Sequence, residues 1–229
     1  MRLAIFDFDG TLYRGETMRL FLRVLSKMDT RRRRAVQRYY LRNAPAYLLY
    51  KLGLFRLPLM TLAARRHTRL LVGLNQSELE EYFQRCLEAA RPGLSPAVLA
   101  RLRAHLAAGD RVVILSGAYA PFLEAVAREL GVDAWLGTAL VTADGRCAGM
   151  GPHLVGPGKI AALRVFLAAE EREGRHHDLA SAYAYADGAH DLSLLKLVGH
   201  PVAVRPDRWL RKEAERKGWE ILGIDTGEC

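Results

Sequence analysis

Cysteine is scarce: Cys86, Cys147 and Cys229 are the only three in 229 residues, and none stands at metal-ligand spacing from another. That excludes a disulfide scaffold and a structural zinc site, and it fits a reducing compartment. Long apolar runs are also missing. The most apolar stretch, residues 44–62, is broken by Lys51, Gly53, Arg56 and Pro58, so it falls short of the ~20 residues of a bilayer-spanning helix. The opening Arg2-Leu3-Ala4-Ile5-Phe6 reads as a strand and lacks the apolar run and cleavage site of a secretory signal, so the expectation is a cytoplasmic protein. Acidic residues are thin in one segment: residues 13–90 hold 16 Lys/Arg against 6 Asp/Glu, and the rest of the chain holds 18 against 19. The net charge of +9 therefore belongs to that segment. Such a surface attracts nucleic acid, acidic lipid or a phosphorylated metabolite, and electrostatics alone does not choose among them.

What is present is a strand and helix alternation on either side of that segment. Leu3 to Phe8 is an apolar run. After Arg91-Pro92-Gly93, Ser95-Pro96 opens a helix with Val98, Leu99, Leu102 and Leu106 on one face, closed by Gly109. Val112 to Leu115 reads as a buried strand, a helix follows from Pro121 to Gly131, and Asp133 to Leu136 returns as strand. Asp144-Gly145, between Thr138–Thr142 and Arg146–Met150, is a two-residue hairpin signal. Lys159 opens another amphipathic helix, Ala182–Ala186 and Val202–Val204 are short strands, and a closing helix runs from Asp207 to Lys217. The rhythm predicts an α/β fold with a parallel sheet and helices on both faces. Residues 13–90 show helical stripes instead, such as Met18, Phe21, Leu22 and Leu25, with a capping-box pattern at Ser77 and Glu80. Arg19, Arg23, Lys27 and Arg31 recur every four residues and run into Arg32, Arg33 and Arg34, which on one helix would make a stripe of mutual repulsion. The expected division is an α/β core of residues 1–12 and 92–229, and an inserted helical cap of residues 13–91 above the carboxyl ends of the strands, where open α/β sheets bind ligands.

Four short segments concentrate polar groups at predicted strand ends. In Asp7-Phe8-Asp9-Gly10-Thr11 the two carboxylates are two residues apart and point to one side. Burying such a pair is costly without a cation or a shared proton, so the motif suits a metal or proton-transfer task as well as an ordinary polar turn. Magnesium favours such hard oxygen ligands. Ser116-Gly117 ends the Val113–Leu115 run and offers a hydroxyl and an N–H to an anion. Lys159 follows Gly156-Pro157-Gly158 at a helix start, without the spacing of a Walker A loop. Asp187-Gly188-Ala189-His190-Asp191 brings two more carboxylates, of which Asp191 reads equally as a helix N-terminal acid.

The four motifs in this order resemble the haloacid dehalogenase superfamily of phosphohydrolases, most nearly its phosphoserine phosphatase-like branch (subfamily IB). Leu136-Gly137-Thr138, Asp144-Gly145-Arg146, Leu194-Leu195, Pro201-Val202-Ala203-Val204 and Pro206-Asp207 extend the likeness over nearly the whole chain. The resemblance implies a Rossmann-like core with a helical cap, and a Mg²⁺-dependent phosphatase acting on a small-molecule phosphomonoester. It implies Asp7 as nucleophile and Asp9 as general acid and base. It further implies Thr11, Ser116, Gly117 and Lys159 as phosphate ligands, and Asp7, the Asp9 carbonyl and Asp187 as metal ligands. Asp191 and His190 would stand just behind these, and Glu16 falls where phosphoserine phosphatases bind a substrate amino group. Two positions depart from the pattern: His190 replaces the usual asparagine and Ala186 the usual glycine, which puts strict phosphoserine specificity in doubt. A nucleic-acid or anionic-lipid binding protein with an idle core is the competing class; within enzymes, a lipid phosphate phosphatase, a phosphotransferase and a dehalogenase compete, although dehalogenases of this superfamily lack a second aspartate at the place of Asp9. Nucleic acid is the less favoured partner, a peripheral anionic membrane contact stays open, and nothing in the sequence fixes the oligomeric state. His67, His105, His153 and His200 show no partner pattern, and Trp209 and Trp219 are expected to pack the final helix and strand.

Overall fold

The computed structural model describes residues 1–52 and 54–223; Gly53 and Cys229, both named above, lie outside the described residues. Six strands form one parallel sheet: β1 (Leu3–Phe6), β2 (Arg111–Tyr119), β3 (Ala134–Thr138), β6 (Tyr183–Ala186), β7 (His200–Val204) and β8 (Glu220–Leu222), in the order β3-β2-β1-β6-β7-β8. The chain leaves β1 towards β2 on one side and returns through β6 on the other, which opens a crevice at the carboxyl ends of these three strands. The three-residue edge strand β8 is too short to have a readable period and was not expected.

Side chains alternate across β1 as strand geometry requires. Ala4 and Phe6 face one apolar cluster with Phe8, Phe21, Tyr82, Tyr119 and Phe122. Leu3 and Ile5 face another with Leu163, Leu194 and Leu210, from helices α7 (Pro157–Arg172), α8 (Leu192–Leu195) and α9 (Arg208–Lys217). The hairpin forms from β4 (Leu140–Ala143) and β5 (Arg146–Met150), and both turn residues, Asp144 (φ 51°) and Gly145 (φ 71°), take the left-handed conformation of a type I′ turn. Cys86 and Cys147 are buried free thiols.

Between β1 and the remainder lie α1 (Thr17–Met28), α2 (Thr30–Lys51), α3 (Arg56–Thr68) and α4 (Gln76–Ala90), followed on the core side by α5 (Pro96–Ala107) and α6 (Ala120–Leu130). The capping box sits at Asn75 and Glu78, not at Ser77 and Glu80, because the helix starts one turn's fraction earlier, with Asn75 accepting from Glu78 N at 2.9 Å and Glu78 accepting from Asn75 N at 2.9 Å. The arginine periodicity is split as well. Asp29, extended at φ −159°, ends α1 and caps α2 by accepting from Arg32 N, so Arg19, Arg23 and Lys27 lie on one helix and Arg31 to Arg34 on the next. Trp209 is exposed, contrary to expectation, while Trp219 packs against the sheet. Phe21 of α1 stacks on Tyr119 at 5.5 Å and meets Phe122 edge-on at 5.1 Å, so α1 and α4 share a core with the sheet.

Candidate active site

Each strand end delivers one piece. Beyond β1 the chain continues straight, with Asp7 N donating to Tyr185 O at 3.0 Å, and then turns sharply at Gly10. Gly10 is required there twice over: its φ is +71°, and a Cβ would stand 1.9 Å from Asp187 Oδ2. In β2 the register shifts between Leu115 and Tyr119, which bulges the strand at Ser116-Gly117-Ala118 and turns it towards the crevice. Thr138 Oγ1 fixes that bulge by donating to Gly117 O at 2.8 Å, and it accepts from Leu154 N at 3.2 Å.

The charged centre is compact. Lys159 Nζ, from the first turn of α7, lies 2.9 Å from Asp7 Oδ1 and 2.8 Å from Asp191 Oδ1, and all three side chains are buried. Burial opposes the ammonium form, but Asp191 and Asp7 together outweigh it and hold Lys159 above its ordinary range. Asp7 Oδ1 also accepts from Phe8 N at 2.8 Å. Ligand atoms of Asp7, Asp187, His190 and Asp191 all lie within 4.8 Å of one another. Burial, then the charges of Asp7 and Asp191, raise Asp187, and burial raises Asp7 against the pull of Lys159. This carboxylate-rich donor set, short of positive charge beside a single lysine, fits a hard divalent cation such as Mg²⁺. Thr11 Oγ1 is buried and has no hydrogen-bond partner among the described residues, which fits an anion or ligand contact as well.

Asp9 is held apart from this centre. Thr17 N donates to its Oδ1 at 2.8 Å and Thr17 Oγ1 to its Oδ2 at 2.7 Å, while burial, aided by the charge of Asp7, pushes its carboxyl up to about 7. Glu16, one residue before Thr17, is exposed and pairs with Arg19 at 2.9 Å, outside the buried cluster. His190 Nε2 lies 3.3 Å from Asp191 Oδ2.

Three contributors carried no sequence signal. Arg205, the residue after β7, donates to the carbonyls of Gly10 at 2.7 Å and Thr11 at 3.1 Å and to Ser95 Oγ at 3.0 Å, clamping the first motif. Thr17 was hidden because a threonine at a helix start is ordinary. His153 does have a partner: its Nδ1 stands 3.2 Å from Thr61 Oγ1 of α3, and its Nε2 is 3.2 Å from where a Gly117 Cβ would be. Burial lowers its imidazole to about 4. His67 and His105 are likewise partnered, with Tyr119 at 2.9 Å and with Asp110 and Tyr185 at 2.6 and 2.9 Å.

Residues 4–196 match the haloacid dehalogenase-like hydrolase family. The chain belongs to that family. It is 31% identical over 229 residues, 97% of this chain and 98% of the relative, to a histidinol-phosphatase of Neisseria meningitidis serogroup C (strain 8013). Among solved structures it is similar to a protein of unknown function from Bordetella pertussis Tohama I, with TM-score 0.79, 26% identity and coverage of 97% and 98% of the two chains. A substrate-bound phosphoserine phosphatase shares the fold at TM-score 0.64 and 19% identity, over 96% of this chain and 92% of that one. The protein is thus a phosphatase of the haloacid dehalogenase-like family.

Proposed function

We propose that this haloacid dehalogenase-like phosphatase hydrolyses a small 2-aminoalkyl phosphomonoester through a phosphoaspartyl intermediate on Asp7, with Mg²⁺ bound by Asp7, the Asp9 carbonyl and Asp187. The observation that carries the reading is Lys159 Nζ poised 2.9 Å from Asp7 and 2.8 Å from Asp191. It places a fixed positive charge beside a buried nucleophile, where phosphoryl transfer needs it. When bound, the metal would neutralise charge on the phosphoryl oxygens and on the carboxylates around them.

Lys159 and Phe8 N–H orient Asp7 through Oδ1, so the other carboxylate oxygen attacks phosphorus. Asp9, with a carboxyl near neutrality, donates its proton to the leaving alkoxide. The same group, now ionised, takes a proton from the water that attacks the phosphorus of the aspartyl phosphate, which releases inorganic phosphate and restores Asp7. Thr11, Ser116, the Gly117 N–H and Lys159 hold the phosphoryl oxygens, and Asp191 holds Lys159.

In this reading residues 1–12 and 92–229 are the catalytic core and 13–91 the cap that reads the leaving group. Serine phosphate and histidinol phosphate share an ammonium group on the carbon next to the phosphorylated CH₂. Glu16, at the mouth beside Thr17, is the anion available to that ammonium, displacing Arg19. His153 and Thr61 border the site from core and cap. The test is phosphate release from histidinol phosphate, phosphoserine, sugar phosphates and nucleotides, with Mg²⁺ or EDTA. Asp7→Asn should abolish turnover, a loss of ~10³-fold or more, and Glu16→Gln should raise KM for the amino substrates alone. Turnover that survives Asp7→Asn would overturn the mechanism.

A further inference from the structure

From Thr30 to Ser77 the chain contains no aspartate or glutamate, yet it carries eleven Lys/Arg. These residues build the hairpin of α2 and α3. On α2, Arg31, Arg34, Arg38, Leu41, Pro45, Leu48 and Leu52 follow one another at alternating spacings of three and four, which puts them on one helix face. All seven are exposed. The face is arginine in its first half and leucine in its second, over about 30 Å of helix. Leu41 is 76% and Leu52 65% accessible, and the turn that follows adds Leu54 and Phe55, the latter 69% accessible.

Beside this face a groove of about 490 Å³ runs between α2 and α3, lined by Arg38, Arg42, Arg66 and Arg69 together with Leu41 and Leu70. Among the described residues none of these four arginines has an ion pair. Arg66 reaches only neutral acceptors, the Arg42 carbonyl at 3.1 Å and Asn43 Oδ1 at 2.9 Å. Elsewhere on the surface, cations such as Arg85, Arg91, Arg128 and Arg216 are each matched to a glutamate. Among the described residues the hairpin's one ion pair is Arg32 with Asp29, so its dense positive charge is largely uncompensated.

We infer that the α2–α3 hairpin docks the phosphatase on an anionic bilayer surface, its arginines among lipid phosphates and Leu48, Leu52, Leu54 and Phe55 in the acyl boundary. Charge complementarity selects this occupant. A basic helix with leucines and an aromatic at one end is what an interfacial helix requires, since lipid supplies negative charge and apolar depth together. A nucleic acid would match the arginines and leave the leucines exposed to water. A second copy in parallel register would bring arginine against arginine. No helix among the described residues is long and apolar enough to cross a membrane, so the contact is peripheral. The hairpin also borders the active site: Leu57 Cδ1 is 3.0 Å from the Cβ position of Gly156, and Thr61 meets His153.

The test is sedimentation of the full chain with phosphatidylcholine vesicles, with and without phosphatidylglycerol, at low and high salt. Binding should require the anionic lipid and weaken with salt. Arg31→Gln/Arg34→Gln/Arg38→Gln should reduce it about 100-fold, at roughly five-fold per arginine. Leu48→Ser/Leu52→Ser/Phe55→Ser should reduce it by a similar factor at unchanged charge. Both triple variants should keep the turnover of soluble phosphomonoesters, which shows that they fold. Absence of binding to anionic vesicles at low salt overturns the inference, as does binding that the apolar variant leaves intact. A dimer in light scattering that the apolar variant dissociates, without vesicle binding, would assign the face to self-association. Duplex DNA bound more tightly than vesicles would assign it to nucleic acid.

Discussion

Thr17 grips both carboxylate oxygens of Asp9, one through its backbone N–H at 2.8 Å and the other through its hydroxyl at 2.7 Å. The two bonds fix the carboxyl plane at the start of α1, so the group that moves protons in the proposed reaction is anchored to the first turn of the helical segment. Thr17→Val keeps the N–H bond and deletes the hydroxyl bond. Hydrogen bonds to ionised groups contribute about 1.5–3 kcal/mol, so kcat should fall roughly ten- to a hundred-fold, with KM little changed. Thr17→Ser should restore most of it. Steady-state kinetics on the three proteins decides the point, and an unimpaired valine variant would remove Thr17 from the mechanism.

Gly10→Ala should be folded and nearly inactive. The added methyl lands 1.9 Å from Asp187 Oδ2 at a backbone φ of +71°, so either the loop or Asp187 must shift. Because Asp187 is a proposed metal ligand, the Mg²⁺ concentration giving half-maximal activity should rise about ten-fold or more, by analogy with the loss seen when groups supporting a metal site are disturbed. EDTA should silence the parent protein, and added Mg²⁺ should restore it. A metal titration of both proteins, with circular dichroism to check folding, measures this.

Arg205→Ala should lower stability and activity together. It removes the donor to the Gly10 and Thr11 carbonyls and to Ser95, leaving partly buried acceptors unmet. A loss of about 3 kcal/mol follows from unsatisfied groups of this kind, and for a chain of this size it reads as a Tm drop of about 9 °C. Thermal melts of Arg205→Ala and Arg205→Lys should rank both below the parent, since one ammonium cannot reproduce the guanidinium fork.

Acid should weaken the protein through Glu170. Arg175, His177 and Arg111 all contact this buried carboxylate, at 2.6, 3.0 and 3.1 Å, and the hydrogen bond from Arg175 leads in depressing it to about 2, from an ordinary value of 4.5. A depressed acid contributes stability above its unfolded pKa and loses it as pH falls through the folded one. The window is therefore about pH 5 down to pH 2. The contribution is about 2 kcal/mol at neutral pH, discounted because Arg175 is partly open to solvent. Urea melts of Glu170→Gln against the parent should differ by that amount at pH 7 and converge towards pH 2.

The sequence displays the parallel order, the hairpin and the four strand-end motifs because each rests on a local period or a turn residue: the Leu3–Phe6 run, Asp144-Gly145, Asp7-x-Asp9, Asp187 to Asp191. Asp7 and Lys159 are 152 positions apart, and only their shared place in a family pattern joins them on paper. Arg205, Thr17 and His153 were illegible for a different reason. Each acts through a backbone carbonyl, a carboxylate or a hydroxyl brought close by the fold, and an arginine after a strand or a histidine in a loop announces no such partner. The break at Asp29 was lost because a four-residue arginine period runs across it, and charge spacing cannot show that an aspartate has turned the chain.

The stacking of Phe21 on Tyr119 has a mechanical meaning. A lid that swung as a rigid body from the first residue after β1 would tear aromatic surface out of the molecule's interior with every turnover. α1 and α4 are rooted in that interior, and so is the end of α3, where His67 and Thr68 meet the Tyr119 hydroxyl at 2.9 and 2.8 Å; opening would fall to the far end of the hairpin, whose ties to the loop before α7 include the Thr61–His153 bond and the Leu57 contact. Substrate would then enter by a small outward tilt of the hairpin's far end, and a surface that holds that end would also set how often the door stands open.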